Sequence, residues 1–176
     1  GDQLISVATL SLFRFSTPAS RLWVIGQMAL ARSRSLWTGA QFVKLCGSGT
    51  GEGFTPKPNW SVWAIFAVWP DLASARNHIQ THKVITRWRA HAAESWTVFL
   101  SPFSARGSWA GVNPLTDTTD PQALHGPIAA LTRATVKPQH APAFWKRVPD
   151  ISARIGADPN VLFKIGIGEV PLLHQV

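Results

Sequence analysis

The chain has 176 residues, 45% of them hydrophobic, enough for one domain of ordinary size or two small units that share a core. Its 17 Lys+Arg against 9 Asp+Glu give a net charge of +8, which suits nucleic acid, an anionic membrane surface or an acidic protein without choosing among them. A single cysteine, Cys46, excludes an intramolecular disulfide and a thiolate cluster, and no apolar run approaches the roughly 20 residues of a membrane-spanning helix.

The segment SVATLSLFRF (Ser6 to Phe15) reads as a strand, and Pro18 opens a helical pattern with Leu22, Trp23, Ile25, Met28, Ala29 and Leu30 on or near one face. FVKLC, a glycine-rich loop and the apolar run WSVWAIFAVWP follow, the last reading as a strand covered on both faces. The loop, GSGTGEG, invites comparison with a phosphate cradle. It fails, because Glu52 and Phe54 stand where the nucleotide patterns require glycine, and a strand rather than a helix comes next. A hairpin loop is expected. Asp71 is placed to cap a helix that breaks near Thr81, and WTVFLSP (Trp96 to Pro102) is the next strand.

The resulting order, β-α-β-β-α-β, is that of a ferredoxin-like unit. It restarts after a linker: GPIAALTRATV reads as a strand, KPQHAPAFWKRVPDISARIGA as a helix interrupted by Pro142 and Pro149, and VLFKIGIGEV as a second strand. Arg133 follows Arg14 by 119 residues, and Gly166 and Gly168 follow Gly47 and Gly49 by the same interval. The expected fold is therefore α+β: a first ferredoxin-like repeat over 1–105, a linker over 106–126 and an incomplete second repeat over 127–176, arranged like a dimeric α+β barrel. The second repeat stops as its third strand begins, so the sequence is expected to be part of a longer protein.

SLFRF, GQMALAR, KLCGSGTGEGFTPKPN, AVWPD, AESWTVFLSPFSARG, GPIAALTRATVKPQHAPAFWKRVPDIS and FKIGIGEVPLLHQV occur in order along nearly the whole chain. Together they resemble the spheroidene monooxygenase family, the carotenoid C-2 oxygenases of purple bacteria. The resemblance implies a haem-containing, iron-dependent monooxygenase that takes electrons from reduced ferredoxin and oxidises acyclic carotenoids at C-2. Two hydroxylations at one carbon would give a geminal diol that loses water to a ketone.

Haem chemistry needs an axial donor on the iron. Of six histidines, His174 in the apolar segment VPLLHQV is the candidate metal ligand and haem-binding residue; the alternative is a core histidine held by backbone groups. His78 and His82 have ligand-compatible spacing, but their polar neighbours favour a solvated face. Arg14 and Arg133 lie in apolar strand segments and require anions, which haem propionates or bound oxygen would supply in a catalytic role and Glu94 or Glu169 in a structural one. Arg133 is also a candidate cofactor contact.

Nine tryptophans and nine phenylalanines with no tyrosine offer flat apolar walls, and Phe13, Trp23, Trp63, Ser95 and Trp96 are the candidate substrate residues, with ordinary core as the alternative. Rival readings are a cofactor-free or haem-degrading barrel monooxygenase, a non-catalytic carotenoid- or membrane-binding protein, and an RNA-binding module. The third strand is too apolar for the last, so no nucleic-acid partner is expected. Expected partners are an acyclic carotenoid, ferredoxin and a second copy of the chain. The expected location is the cytoplasm, peripheral to the inner or photosynthetic membrane.

Overall fold

The computed structural model describes residues 6–50, 57–115, 125–135, 137–169 and 174–175. Its first unit is β1 (Val7–Arg14), α1 (Pro18–Leu30), β2 (Phe42–Gly49), β3 (Pro58–Trp69), α2 (Leu72–Thr81), α3 (Lys83–His91) and β4 (Glu94–Leu100). Its second is β5 (Ala134–Thr135), α4 (Ala141–Ala157), β6 (Ile167–Glu169) and β7 (His174–Gln175). All seven strands form one sheet in the order β4-β1-β3-β2-β6-β7-β5. The first four strands have the ferredoxin-like order, antiparallel throughout.

Local chemistry sets the helix boundaries. Thr17 and Ser20 form a capping box at the start of α1, where Pro18 loses no useful hydrogen bond. The Asp71 carboxylate accepts from the Ser74 N–H at 2.7 Å and starts α2. The break expected near Thr81 falls at His82, which ends α2 and whose ring accepts from the Val84 N–H at 3.2 Å to start α3. The glycine loop does join two antiparallel strands: Thr50 donates to Lys57 at 2.9 Å across its neck, and 51–56 lie outside the described residues.

Alternation along the strands divides the sheet into two faces. Phe13, Trp63, Ile65, Ala67 and Trp69 face α1, α2 and α3 and pack against Val24, Met28, Ile79, Ile85 and Trp88. The opposite face, free of these helices, holds Ala8, Phe66 and Val68 under Trp109, and Cys46 and Ala64 beside Ile167.

The repeat is visible in the pairing. Phe15 donates to Ser61 across β1 and β3, and Ala134, 119 residues after Phe15, pairs with Gln175, 114 residues after Ser61. Ser48 pairs with Ile167, again 119 residues on, so this pair lies on a pseudo-two-fold axis between the units. The interval drops from 119 to 114 for two reasons: Gly168 pairs with Gln175 seven residues on where Gly49 pairs with Pro58 nine residues on, and the β2–β3 register shifts by three residues between Gly47 and Ser48.

Two expectations for the second unit need correction. Among the described residues of the segments expected as strands, only Ala134–Thr135 and Ile167–Glu169 pair; 126–133 and 161–166 are irregular. A two-residue β7 gives the ladder no greater length. In addition, α4 runs through Pro142 and Pro149: Pro142 falls in its first turn, where the missing N–H costs nothing, and Pro149 is carried inside the helix.

Candidate functional site

The face under the helices gathers an aromatic layer. In α3, Val84, Ile85 and Trp88 share one face, so Trp88 is driven fully into the core. Its ring meets Phe13 edge-on at 5.4 Å and Phe15 at 6.2 Å, and Phe15 lies 6.2 Å from Trp23 of α1. Trp63 is buried in the same cluster, its indole N–H donating to Trp60 at 2.9 Å. The Trp88 Nε1 is buried without a hydrogen-bond partner. Such a donor in an apolar interior is costly unless something accepts from it.

Three of the five expected wall residues, Phe13, Trp23 and Trp63, thus come together. Ser95 sits opposite Phe13 in the β1–β4 register, exposed, whereas Trp96 pairs with Leu12 and belongs to the other face, where its ring packs 5.7 Å from Phe163.

The helix-free face has a polar focus at the junction of the units. Glu169 pairs with Cys46 in the β2–β6 register, and its carboxylate lies 3.4 Å from Lys44 Nζ and 3.7 Å from Arg133. It also accepts from the Trp109 indole N–H. Arg133 lies over the Trp109 ring at 5.4 Å and donates to the Ser108 carbonyl at 3.4 Å, while its Nε is buried without a partner. Burial pushes the Cys46 thiol up to about 12, and the nearby Glu169 carboxylate adds to the shift against Lys44 and Arg133. Cys46 is the small core residue that one lone cysteine suggests.

Both arginines thus meet the structural anions anticipated for them. Arg14 holds Glu94 at 2.9 Å in an exposed pair at the sheet end, and Arg133 holds Glu169. They lie on the helix-free face, across the sheet from the aromatic layer.

The helical histidines stack on tryptophans. His78 lies on Trp69 at 4.7 Å, His82 on Trp37 at 4.2 Å and His91 on Trp23 at 3.8 Å. His82 is buried, contrary to the solvated face expected from its neighbours, because the chain turns back there and 34–36 cover it. Its Nδ1 accepts from Val84, so its Nε2–H donates to Leu36 at 2.8 Å, and desolvation lowers its pKa from 6.5. Both nitrogens are committed, and those of His78 and His91 that donate to Ser74 and Arg87 carbonyls are too.

Among the described residues no group of three or more His, Cys, Asp or Glu could hold a metal ion. Of the helical imidazoles, His82 has both ring nitrogens in hydrogen bonds, whereas the bonds of His78 and His91 to the Ser74 and Arg87 carbonyls engage Nδ1 alone, and Cys46 remains a protonated thiol. His174 is placed by its backbone, paired with Glu169 and Thr135, and its side chain lies outside the described residues. Sequence reasoning missed Trp88 and Trp109. A large aromatic in the Gly- and Asn-rich stretch around GSWAG was the available signal for Trp109.

The chain is 57% identical over 173 residues to the spheroidene monooxygenase of Rhodobacter capsulatus, covering 97% of this chain and 71% of that protein. The chain belongs to the spheroidene monooxygenase family. It is also 50% identical over 173 residues to the spheroidene monooxygenase of Cereibacter sphaeroides, of which it spans 53%. No family model matches the chain. Among solved structures, a dimeric protein of unknown function and ferredoxin-like fold from Bacteroides fragilis aligns at 13% identity and TM-score 0.40, covering 55% of this chain and 95% of that one. No described helix is long and apolar enough to cross a membrane.

Proposed function

We propose that the protein is a monooxygenase that inserts oxygen at C-2 of acyclic carotenoids such as spheroidene, with electrons from a reduced ferredoxin. The observation that carries this reading is the 57% identity over 173 residues to a spheroidene monooxygenase. The aromatic layer supports it. A polyene end is a flat hydrocarbon, and Phe13, Phe15, Trp23, Trp63 and Trp88, packed edge-on and tilted against one another, offer apolar surface that excludes water.

Each turnover takes up dioxygen, two electrons and two protons, replaces one C–H bond by C–OH and releases water. A second turnover at the same carbon gives a geminal diol, which loses water to leave a ketone. In this reading the aromatic side chains orient the polyene end, and the unpartnered Trp88 N–H is a donor available to oxygen on the reacting carbon. Arg14 and Arg133, engaged with carboxylates across the sheet, are given no proton-transfer role. Haem as the oxygen-activating group, with His174 as its axial donor, is a proposal that rests on the family resemblance; bound haem would supply a reducible iron that binds dioxygen.

Expression of the gene in a cell that accumulates acyclic carotenoids tests the reading. Pigments that gain one oxygen or a carbonyl, in air only, support it. Unaltered pigments refute it.

A further inference from the structure

We propose that the helix layer docks on an anionic lipid bilayer, with α1 lying along the surface as the roof through which carotenoid reaches the aromatic layer. The docking stands on the structure alone; the delivery of carotenoid rests on the function proposed above.

Helix α1 is apolar on two faces. Val24 and Met28 are buried against the sheet, and Trp23 reaches Phe15 in the aromatic layer. On the opposite side Leu22 is 71%, Ile25 39% and Leu30 68% exposed, with Gly26 and Ala29 exposed between them. These five positions fall within one side of a 3.6-residue helix. Leu36, in the turn that follows, is 46% exposed. A contiguous outward apolar stripe of this kind marks an interaction surface.

Charge selects the partner. Residues 18–37 together with α2 and α3 carry seven arginines and lysines and no aspartate or glutamate. Arg32, Arg34, Arg76, Lys83, Arg87 and Arg89 are exposed. The carboxylates at the margins are engaged, Asp71 in capping α2 and Glu94 with Arg14. A second copy of this face would set cations against cations. An acidic protein would answer the cations and leave the leucines in water. An anionic bilayer answers both, because phosphate headgroups meet the cations while leucine side chains enter the acyl boundary. A carotenoid dissolved in that bilayer would then lie one helix diameter, about 10 Å, from the aromatic layer.

Flotation with phosphatidylcholine vesicles, with and without phosphatidylglycerol, tests this. The protein should float with the anionic vesicles and be released by salt. Leu22→Ser with Leu30→Ser, both at exposed positions, should lower binding by at least about tenfold, and Arg34→Gln by about fivefold. Leu162→Ser, a control at a residue 84% exposed elsewhere, should leave binding unchanged. Failure to float, flotation indifferent to the leucine pair, or a leucine pair that alters only self-association would each overturn the proposal. Carotenoid oxidation in detergent separates the two readings: intact oxidation without flotation removes docking alone, and flotation without oxidation removes the proposed function alone.

Discussion

Substitution of Glu169 by glutamine should loosen the junction between the two units. Glu169 is the carboxylate shared by Lys44 at 3.4 Å and Arg133 at 3.7 Å, and the three side chains are only 24%, 19% and 19% exposed in the order Lys44, Arg133, Glu169. At about 3.5 Å and an effective dielectric near 20, each pair has a gross attraction of about 5 kcal/mol. Desolvation of the three charges and residual contact with water offset most of it, so the net loss is nearer 2–3 kcal/mol, part of it from leaving two cations side by side. Glutamine still accepts from Trp109, so the loss is electrostatic. For a chain of this size it lowers Tm by about 5–10 °C. Urea unfolding of Glu169→Gln, Lys44→Met and the double variant measures it. The double variant should be less destabilised than the two single changes added together, since removing Lys44 relieves the stranded pair. A loss below about 0.5 kcal/mol, or strict additivity, would refute the electrostatic account of the junction.

Cys46, fully buried with its thiol pushed up to about 12, should resist a disulfide reagent at pH 8 in the native protein and react on unfolding; rapid native reaction would contradict its placement. His82 has a folded pKa below its ordinary 6.5, so the unfolded chain binds the extra proton first and stability falls as pH drops below 6.5, levelling beneath the folded value. His82→Asn keeps a capping acceptor and should flatten that part of the stability–pH curve; an unchanged slope would show that His82 does not titrate this way. Gly39→Ala should cost about 1–3 kcal/mol in thermal unfolding, because φ is +92° and a Cβ would come 2.7 Å from the His78 imidazole; a neutral result would contradict the turn geometry.

Much of the first unit is legible in the sequence because its signals are local. Pro18 and Asp71 mark helix starts, the apolar run before Pro70 marks a central strand, and the 119-residue interval between Arg14 and Arg133 marks the repeat. The shorter second hairpin, together with the three-residue register shift after Gly47 in the first, explains why the interval applies to the first two strands of the repeat and not to the third. The second unit is less legible. Apolar runs such as Ile128 to Leu131 resemble strand, but pairing depends on a neighbour that periodicity cannot report. His82 was hidden by its polar neighbours, since burial there comes from residues 46 positions earlier in the chain. The two arginines were legible as residues needing anions, and Glu94 and Glu169 fill that need. The aromatic layer was half legible. Phe13 and Trp63 declare their face by alternation, whereas Trp88 lies among arginines and is revealed as core only by helical spacing.

The most direct test of the carotenoid reading is turnover of an acyclic carotenoid by the protein with reduced ferredoxin under isotopically labelled dioxygen, with the alcohol product read by mass spectrometry. The account predicts one labelled oxygen in that alcohol, dependent on the reductant. Carotenoid recovered unchanged, or an alcohol whose oxygen comes from water, would contradict it.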